Sequence, residues 1–330
     1  MPVMDWLFQH KATGTEVFDT IRPPYLIIGN HTSMWDPLIM QRFCPDMIQF
    51  VASDAQFRTR IMRLVLGLAG AIPKTKGVAD RETVRHIMNA RKRGYPIGIF
   101  AEGQSSWDGH SLPIVPSTAK LVRLLKIPVI VAETSGAYFT FPRWGRGFRR
   151  GGIHVHYRVG MTAAEVKALS SEEAEAKVQE LIEHDEFAVQ EDARRVYPSA
   201  VRAEYLERII SLCPDCMAIE NMRSEGARLR CDSCGHQVYM NRFGFFEPEH
   251  GARHFRSIRD WNLWQCAALA GVIESRLASK PAAYLLSAPA TIKTGYGAKV
   301  PRDIGHATLR LYAGELVMEW DDEWEPVDSP

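Results

Sequence analysis

His31 and Asp36 lie five residues apart in the stretch Ile27-Ile28-Gly29-Asn30-His31-Thr32-Ser33-Met34-Trp35-Asp36-Pro37-Leu38, just beyond an apolar run. Residues five apart on one continuous helix point in different directions, so the two side chains can meet only if a turn folds the imidazole back over the first helical turn. A carboxylate accepting from one ring nitrogen would fix the tautomer and leave the other nitrogen free to take a proton from a hydroxyl, which is an oriented general base. Spacing alone supports a second reading equally: a capped helix with an ordinary surface histidine, Asp36 serving only backbone amides. The elements that must position the pair are also visible. Residues 25–28 read as a short buried strand, and Ser33 with Asp36 resembles a capping pair opening a helix, so His31 falls in a strand-to-helix turn.

A second group of residues points to a metal. Of six cysteines, four form the pairs Cys213-Pro214-Asp215-Cys216 and Cys231-Asp232-Ser233-Cys234, while Cys44 and Cys266 stand alone. Two such knuckles complete a tetrahedral thiolate site with no open position, which stabilises a fold and does not catalyse. Structural zinc held by Cys213, Cys216, Cys231 and Cys234 is therefore expected, in a segment resembling a zinc ribbon with strand-like runs at 228–230 and 236–240.

The chain has 330 residues, 46% hydrophobic, with 40 basic against 39 acidic side chains and a net charge of +1. A near-neutral balance makes no global electrostatic case for nucleic acid, and none is expected as a partner. No signal peptide opens the sequence and no run of eighteen apolar residues appears, so a cytoplasmic protein, held peripherally on the inner face of the membrane, is expected. Short apolar runs at 25–28, 47–52, 96–100 and 128–132 alternate with helical patterns. This argues an α/β class: a mixed, mostly parallel sheet flanked by helices, with a zinc ribbon and a small C-terminal α+β region added. The expected segments are an α/β domain at 1–160, a helical extension at 161–205, the ribbon at 206–247 and a C-terminal region at 248–330. Residues before Arg22 suggest a short leading helix, and 152–159 an edge strand carrying His154, His156 and Arg158 on one face.

The stretch from Asn30 to Asp36 resembles the NHxSxxD block of the glycerolipid acyltransferases, with Asn30, His31, Ser33 and Asp36 matching. A second block, Phe100-Ala101-Glu102-Gly103-Gln104-Ser105-Ser106, is similar to that family's FPEGTRS; Phe100, Glu102, Gly103 and Ser106 match, while Ala101, Gln104 and Ser105 depart. Between them Gly70-Ala71-Ile72-Pro73-Lys74-Thr75-Lys76 falls where the family has GxxFIxR, with Lys76 in the arginine position and Lys74 beside it. The resemblance covers roughly 22–160. It implies acyl transfer from acyl-CoA or an acyl carrier protein to a hydroxyl of a lysophospholipid-like acceptor at a membrane surface. His31 would be the base oriented by Asp36, with backbone amides of the His31 turn as oxyanion donors. Asn30, Ser33, Lys74, Lys76, Glu102 and Gly103 would contact substrate, Glu102 through an acceptor hydroxyl.

Two departures weigh on that reading. A lysine is a point charge and cannot make arginine's planar bidentate contact, and Ser105 removes the family's second cation, so the acceptor need not be a simple glycerol phosphate. Alternatives are a thioester or ester hydrolase using the same dyad, and a lipid-surface scaffold protein that has lost activity. Residues 57–71 combine leucine-type side chains with Arg58, Arg60 and Arg63, a pattern suited to a helix on anionic headgroups. Residues 141–150 interleave arginine with aromatics, as a loop binding headgroups or the phosphates of coenzyme A would.

Overall fold

The computed structural model describes residues 8–75, 81–279, 286–295, 300–312 and 314–321. In chain order the first part contains β1 (Lys11–Thr13), α1 (Val17–Thr20), β2 (Leu26–Ile28), α2 (Asp36–Gln41), β3 (Gln49–Ser53), α3 (Arg60–Leu68), β4 (Ile72–Lys74), α4 (Arg81–Lys92), β5 (Ile97–Ile99), α5 (Pro116–Leu125), β6 (Val129–Ser135), α6 (Ala137–Thr140) and β7 (His154–Met161). These strands form one seven-stranded sheet in the order β1-β7-β6-β2-β5-β3-β4. β2 runs parallel to both β5 and β6, and β3 parallel to β5, while β7 is antiparallel to β6 and carries β1 parallel on its outer side.

β2 is apolar at every position because both of its faces are covered. Leu26 and Ile28 point to one side and pack with Ile97, Ile99, Val129 and Val131 against Val122 and Leu125 of α5. Tyr25 and Ile27 point to the other, packing with Ile39, Met40, Ile130 and Tyr157. Each fully buried aliphatic side chain of this kind contributes about 1.5–3 kcal/mol.

Of the expected leading helix, residues 1–7 lie outside the described residues; after Phe8 the chain forms the strand β1 and then the four-residue α1. One expectation is corrected here. β7 is not an edge strand, since β1 occupies the edge outside it; Thr13 of β1 reaches His154 and His156 at 3.3 and 2.9 Å, which explains their shared polar face.

Three helices follow: α7 (Ala163–Ala168), α8 (Ser171–Ile182) and α9 (Glu186–Ala193). A capping box at Ser170 and Glu173 opens α8, and Ala174, Val178, Leu181 and Ile182 are its buried stripe. The ribbon contributes β8 (Met222–Glu225), β9 (Arg228–Cys231), β10 (Gln237–Met240) and β11 (Phe246–His250), an antiparallel sheet in the order β11-β10-β9-β8. A long helix α10 (Ile258–Ser279) precedes β12 (Leu286–Thr294), β13 (Arg302–Leu311) and β14 (Leu316–Trp320), a three-stranded antiparallel sheet in which β13 pairs with both neighbours.

Contacts group the chain into two units, drawn differently from the four expected segments. One comprises 1–51, 69–72 and 79–265, so the ribbon belongs with the α/β sheet; the other comprises 52–68, 73–78 and 266–330. Among the described residues, no helix is long and apolar enough to cross a membrane.

Candidate active site

The carboxyl ends of β2, β5 and β6 converge on one edge of the sheet, the place where open α/β sheets present loops to a ligand. The chain leaves β2 through Gly29, which admits no side chain: a Cβ there would lie 2.2 Å from the Ala132 carbonyl oxygen of β6 and 2.4 Å from Met40 Cε. Asn30 then ties the turn to β6, its amide donating to the Thr134 carbonyl at 2.8 Å while its carbonyl accepts from the Thr134 N–H at 2.9 Å.

His31 follows, and its Nδ1 lies 2.9 Å from Asp36 Oδ2. Asp36 is fully buried, and the same oxygen accepts from the Thr32 and Ser33 amides at 2.8 and 2.9 Å. A carboxylate can only accept, so Nδ1 carries the proton and Nε2 presents a lone pair. Among the described residues Nε2 has no protein partner, and the imidazole is 17% exposed. Asp36 therefore serves the amides and the histidine at once, which excludes the reading in which it caps backbone alone beside an ordinary surface histidine. The capping differs from expectation in one respect: α2 begins at Asp36, with the Ser33 hydroxyl accepting from Trp35 instead.

The second block is stitched to the first through the His31 main chain. The His31 N–H donates to Glu102 Oε1 at 2.8 Å, the Ser106 N–H donates to the His31 carbonyl at 2.7 Å, and the Phe100 ring stacks on the imidazole with centroids 4.1 Å apart. Glu102 Oε2 accepts from Leu112 N–H at 2.7 Å, so both carboxyl oxygens are spent on backbone. Burial pushes the Glu102 carboxyl up to about 8, against the pull of those two amides and of His184. Gly103 sits at φ +70°, turning the loop so that its N–H meets the Phe100 carbonyl.

The structure thus brings Asn30, His31, Ser33, Asp36, Glu102 and Gly103 together. It uses the Asn30 amide and the Glu102 carboxyl as braces, and leaves neither facing an acceptor hydroxyl. In the His31 turn the amides of His31, Thr32, Ser33, Trp35 and Asp36 are already bonded, which leaves that of Met34 as a candidate oxyanion donor. Among the described residues, the amides of Gln104 and Ser105 remain without a partner. Lys74 ends β4 in the other contact unit, and Lys76 lies outside the described residues.

One residue was not singled out by motif. Arg143, from the arginine–aromatic loop, donates to the Ser105 carbonyl at 2.6 Å and lies 4.4 Å over the Trp107 ring. A cation therefore reaches the loop whose own arginine is replaced by Ser105.

The four cysteines also meet. Their sulfurs lie within 4.8 Å of one another, with Cys213 and Cys234 at 3.6 Å and Cys216 and Cys231 at 3.7 Å. Tetrahedral thiolates about 2.3 Å from one ion would be about 3.8 Å apart, so the set fits a metal. Asp215, between the first pair, accepts from the Ala252 and Arg253 amides and from His236 Nδ1, bracing the knuckle.

The segment holding the dyad and its partner block, residues 9–132, matches the model of the Acyltransferase family. Those residues are an acyltransferase domain. Among solved structures the chain is similar to the 1-acyl-sn-glycerophosphate (LPA) acyltransferase PlsC from Thermotoga maritima, at 19% identity and a TM-score of 0.49, over 58% of this chain and 76% of that one. No curated protein matches the chain. The family match ends inside β6, so the acyltransferase domain proper stops short of β7, the ribbon and α10.

Proposed function

We propose that the chain is an O-acyltransferase that moves a fatty acyl group from a thioester to a hydroxyl of a lysophospholipid-like acceptor. The observation that carries this reading is the buried Asp36 carboxylate holding His31 Nδ1 at 2.9 Å, with Nε2 left without a protein partner among the described residues on a partly exposed ring. Nε2 takes the acceptor's hydroxyl proton as that oxygen attacks the thioester carbonyl; the tetrahedral adduct collapses, the carbon–sulfur bond breaks, and the proton returns to the leaving thiolate. No acyl-enzyme is required. The unpartnered Gln104 and Ser105 amides are the donors nearest in sequence to Glu102 and suit the developing oxyanion, and Arg143 supplies positive charge for an acceptor phosphate. Zinc is the metal we assign to the four cysteines, in a structural role only.

Purified protein supplied with acyl-CoA, acyl carrier protein thioesters and a panel of lysophospholipids should yield diacyl product by mass spectrometry. His31→Ala should lower turnover about a hundred to ten thousandfold while the melting curve is kept. Absence of diacyl product, or an undiminished alanine variant, would overturn the proposal, and release of free fatty acid in its place would indicate a hydrolase.

A further inference from the structure

A cavity of about 860 Å³ opens where β1 and β7 begin, lined by Lys11, Arg150, Gly151, Gly152, His154 and Arg195 among others. Among the described residues, no carboxylate lines it. Among the described residues Lys11 makes no ion pair, and neither does Arg195, which donates to the Ser135 hydroxyl at 2.9 Å. Burial, with Arg195, His156 and Lys11 adding to it against the opposing pull of Glu133, holds the His154 imidazole below its usual range. Gly151 and Gly152 bring bare backbone to the wall; a Cβ on Gly151 would lie 2.1 Å from the Tyr197 ring. A concave site of this size, whose described lining has several cations and no acid, focuses a field suited to phosphate, which arginine can bind through paired N–H donors.

Position decides which phosphate. His154 pairs with Lys11 on one side and with Ser135, the last residue of β6, on the other. The cavity therefore lies on the same edge of the sheet as the Asn30–Thr134 tie, two to three strand spacings from β2, or about 10–15 Å. The phosphate of a lysophospholipid is only a few bonds from its reacting hydroxyl and would stay beside His31. A thioester of coenzyme A places an extended pantetheine arm between its reacting carbon and its phosphates, which spans the gap.

We propose that this cavity binds the phosphate-bearing end of the acyl donor, the 3′-phosphorylated ADP of coenzyme A. The assignment rests on the acyltransferase reading for its place in the reaction, but its test does not require turnover. Titration calorimetry with adenosine 3′,5′-bisphosphate and with coenzyme A should show one site per chain, with inorganic phosphate at least tenfold weaker. Lys11→Glu with Arg150→Glu, both exposed positions, should weaken both nucleotides tenfold or more with the melting curve unchanged; Lys11→Gln alone should give a smaller loss in the same direction. In turnover, the double variant should raise KM for acyl-CoA and leave kcat, and the KM for the truncated acyl-pantetheine, where they were. No nucleotide binding, binding untouched by the charge reversals, inorganic phosphate binding as tightly as the bisphosphate, or turnover with acyl carrier protein thioesters alone would each overturn the proposal. Nucleotide binding by a chain that makes no product would uphold the site and remove the catalytic reading.

Discussion

His31 is held by three different chemistries at once: its Nδ1 by Asp36, its N–H by Glu102, and its ring face by Phe100. The first was legible in the sequence, because a base and its orienting carboxylate are recognisable residue types at a recognisable spacing. The second was read as a contact to substrate, since a side chain that braces a backbone amide has no periodic signature and looks like any polar residue in a motif. Glu102 has a measurable consequence. The folded chain keeps its proton up to about pH 8 whereas an ordinary glutamate loses it near 4.5, so between those values the folded state binds more protons than the unfolded one. Stability should therefore fall as pH rises from 4.5 to 8, by up to about 1.4 kcal/mol per pH unit for a single proton, and level off above 8. Chemical denaturation across that range should show this slope in the parent and its loss in Glu102→Gln; equal slopes in the two proteins would remove Glu102 as the source.

At the scale of elements, strands that carry an apolar run or a clean alternation were legible and the one without either was not. β2, β5 and the first half of β6 announce themselves because both faces are covered, and β7 by its alternation, whereas β1 is Lys-Ala-Thr and carries no pattern. α3 was visible as an amphipathic helix, and the structure adds that none of its residues is buried: Ile61, Leu64 and Leu68 are exposed by 76%, 64% and 78%. Apolar side chains so presented beside Arg60 and Arg63 suit the interface of an anionic bilayer. The full chain should sediment with vesicles containing phosphatidylserine and less with phosphatidylcholine alone. Arg60→Glu with Arg63→Glu should weaken the anionic binding by about 2 kcal/mol or more, given about 1 kcal/mol per basic residue, and Ile61→Asp with Leu64→Asp should abolish it. Equal partitioning of parent and variants would exclude α3 as the contact.

At the scale of the molecule, the metal pattern was legible because cysteine spacing encodes a coordination geometry, but its integration was not. Side chains from the ribbon, Met222, Leu229, Val238 and Met240, share one buried cluster with Tyr138 and Phe139 of α6, Phe187 of α9 and Tyr197. Such long-range packing leaves no local trace in sequence. The ribbon is thus part of the floor under α6, which follows directly on β6 and the Thr134 backbone that fixes Asn30. Losing the metal would leave four sulfurs crowded within 4.8 Å of one another without the charge that draws them together, and the loosening would reach that shared core. Purified protein should carry one zinc per chain by elemental analysis. Cys231→Ser, or exhaustive chelation, should remove the metal and lower the melting temperature by about 5–15 °C, as the loss of a few kcal/mol of linked binding energy would in a unit of this size. Turnover should decline in parallel with the folded fraction and recover on adding zinc to the chelated parent, not to the serine variant. A metal-free protein that melts at the parent's temperature would show instead that apolar packing alone holds the ribbon in place.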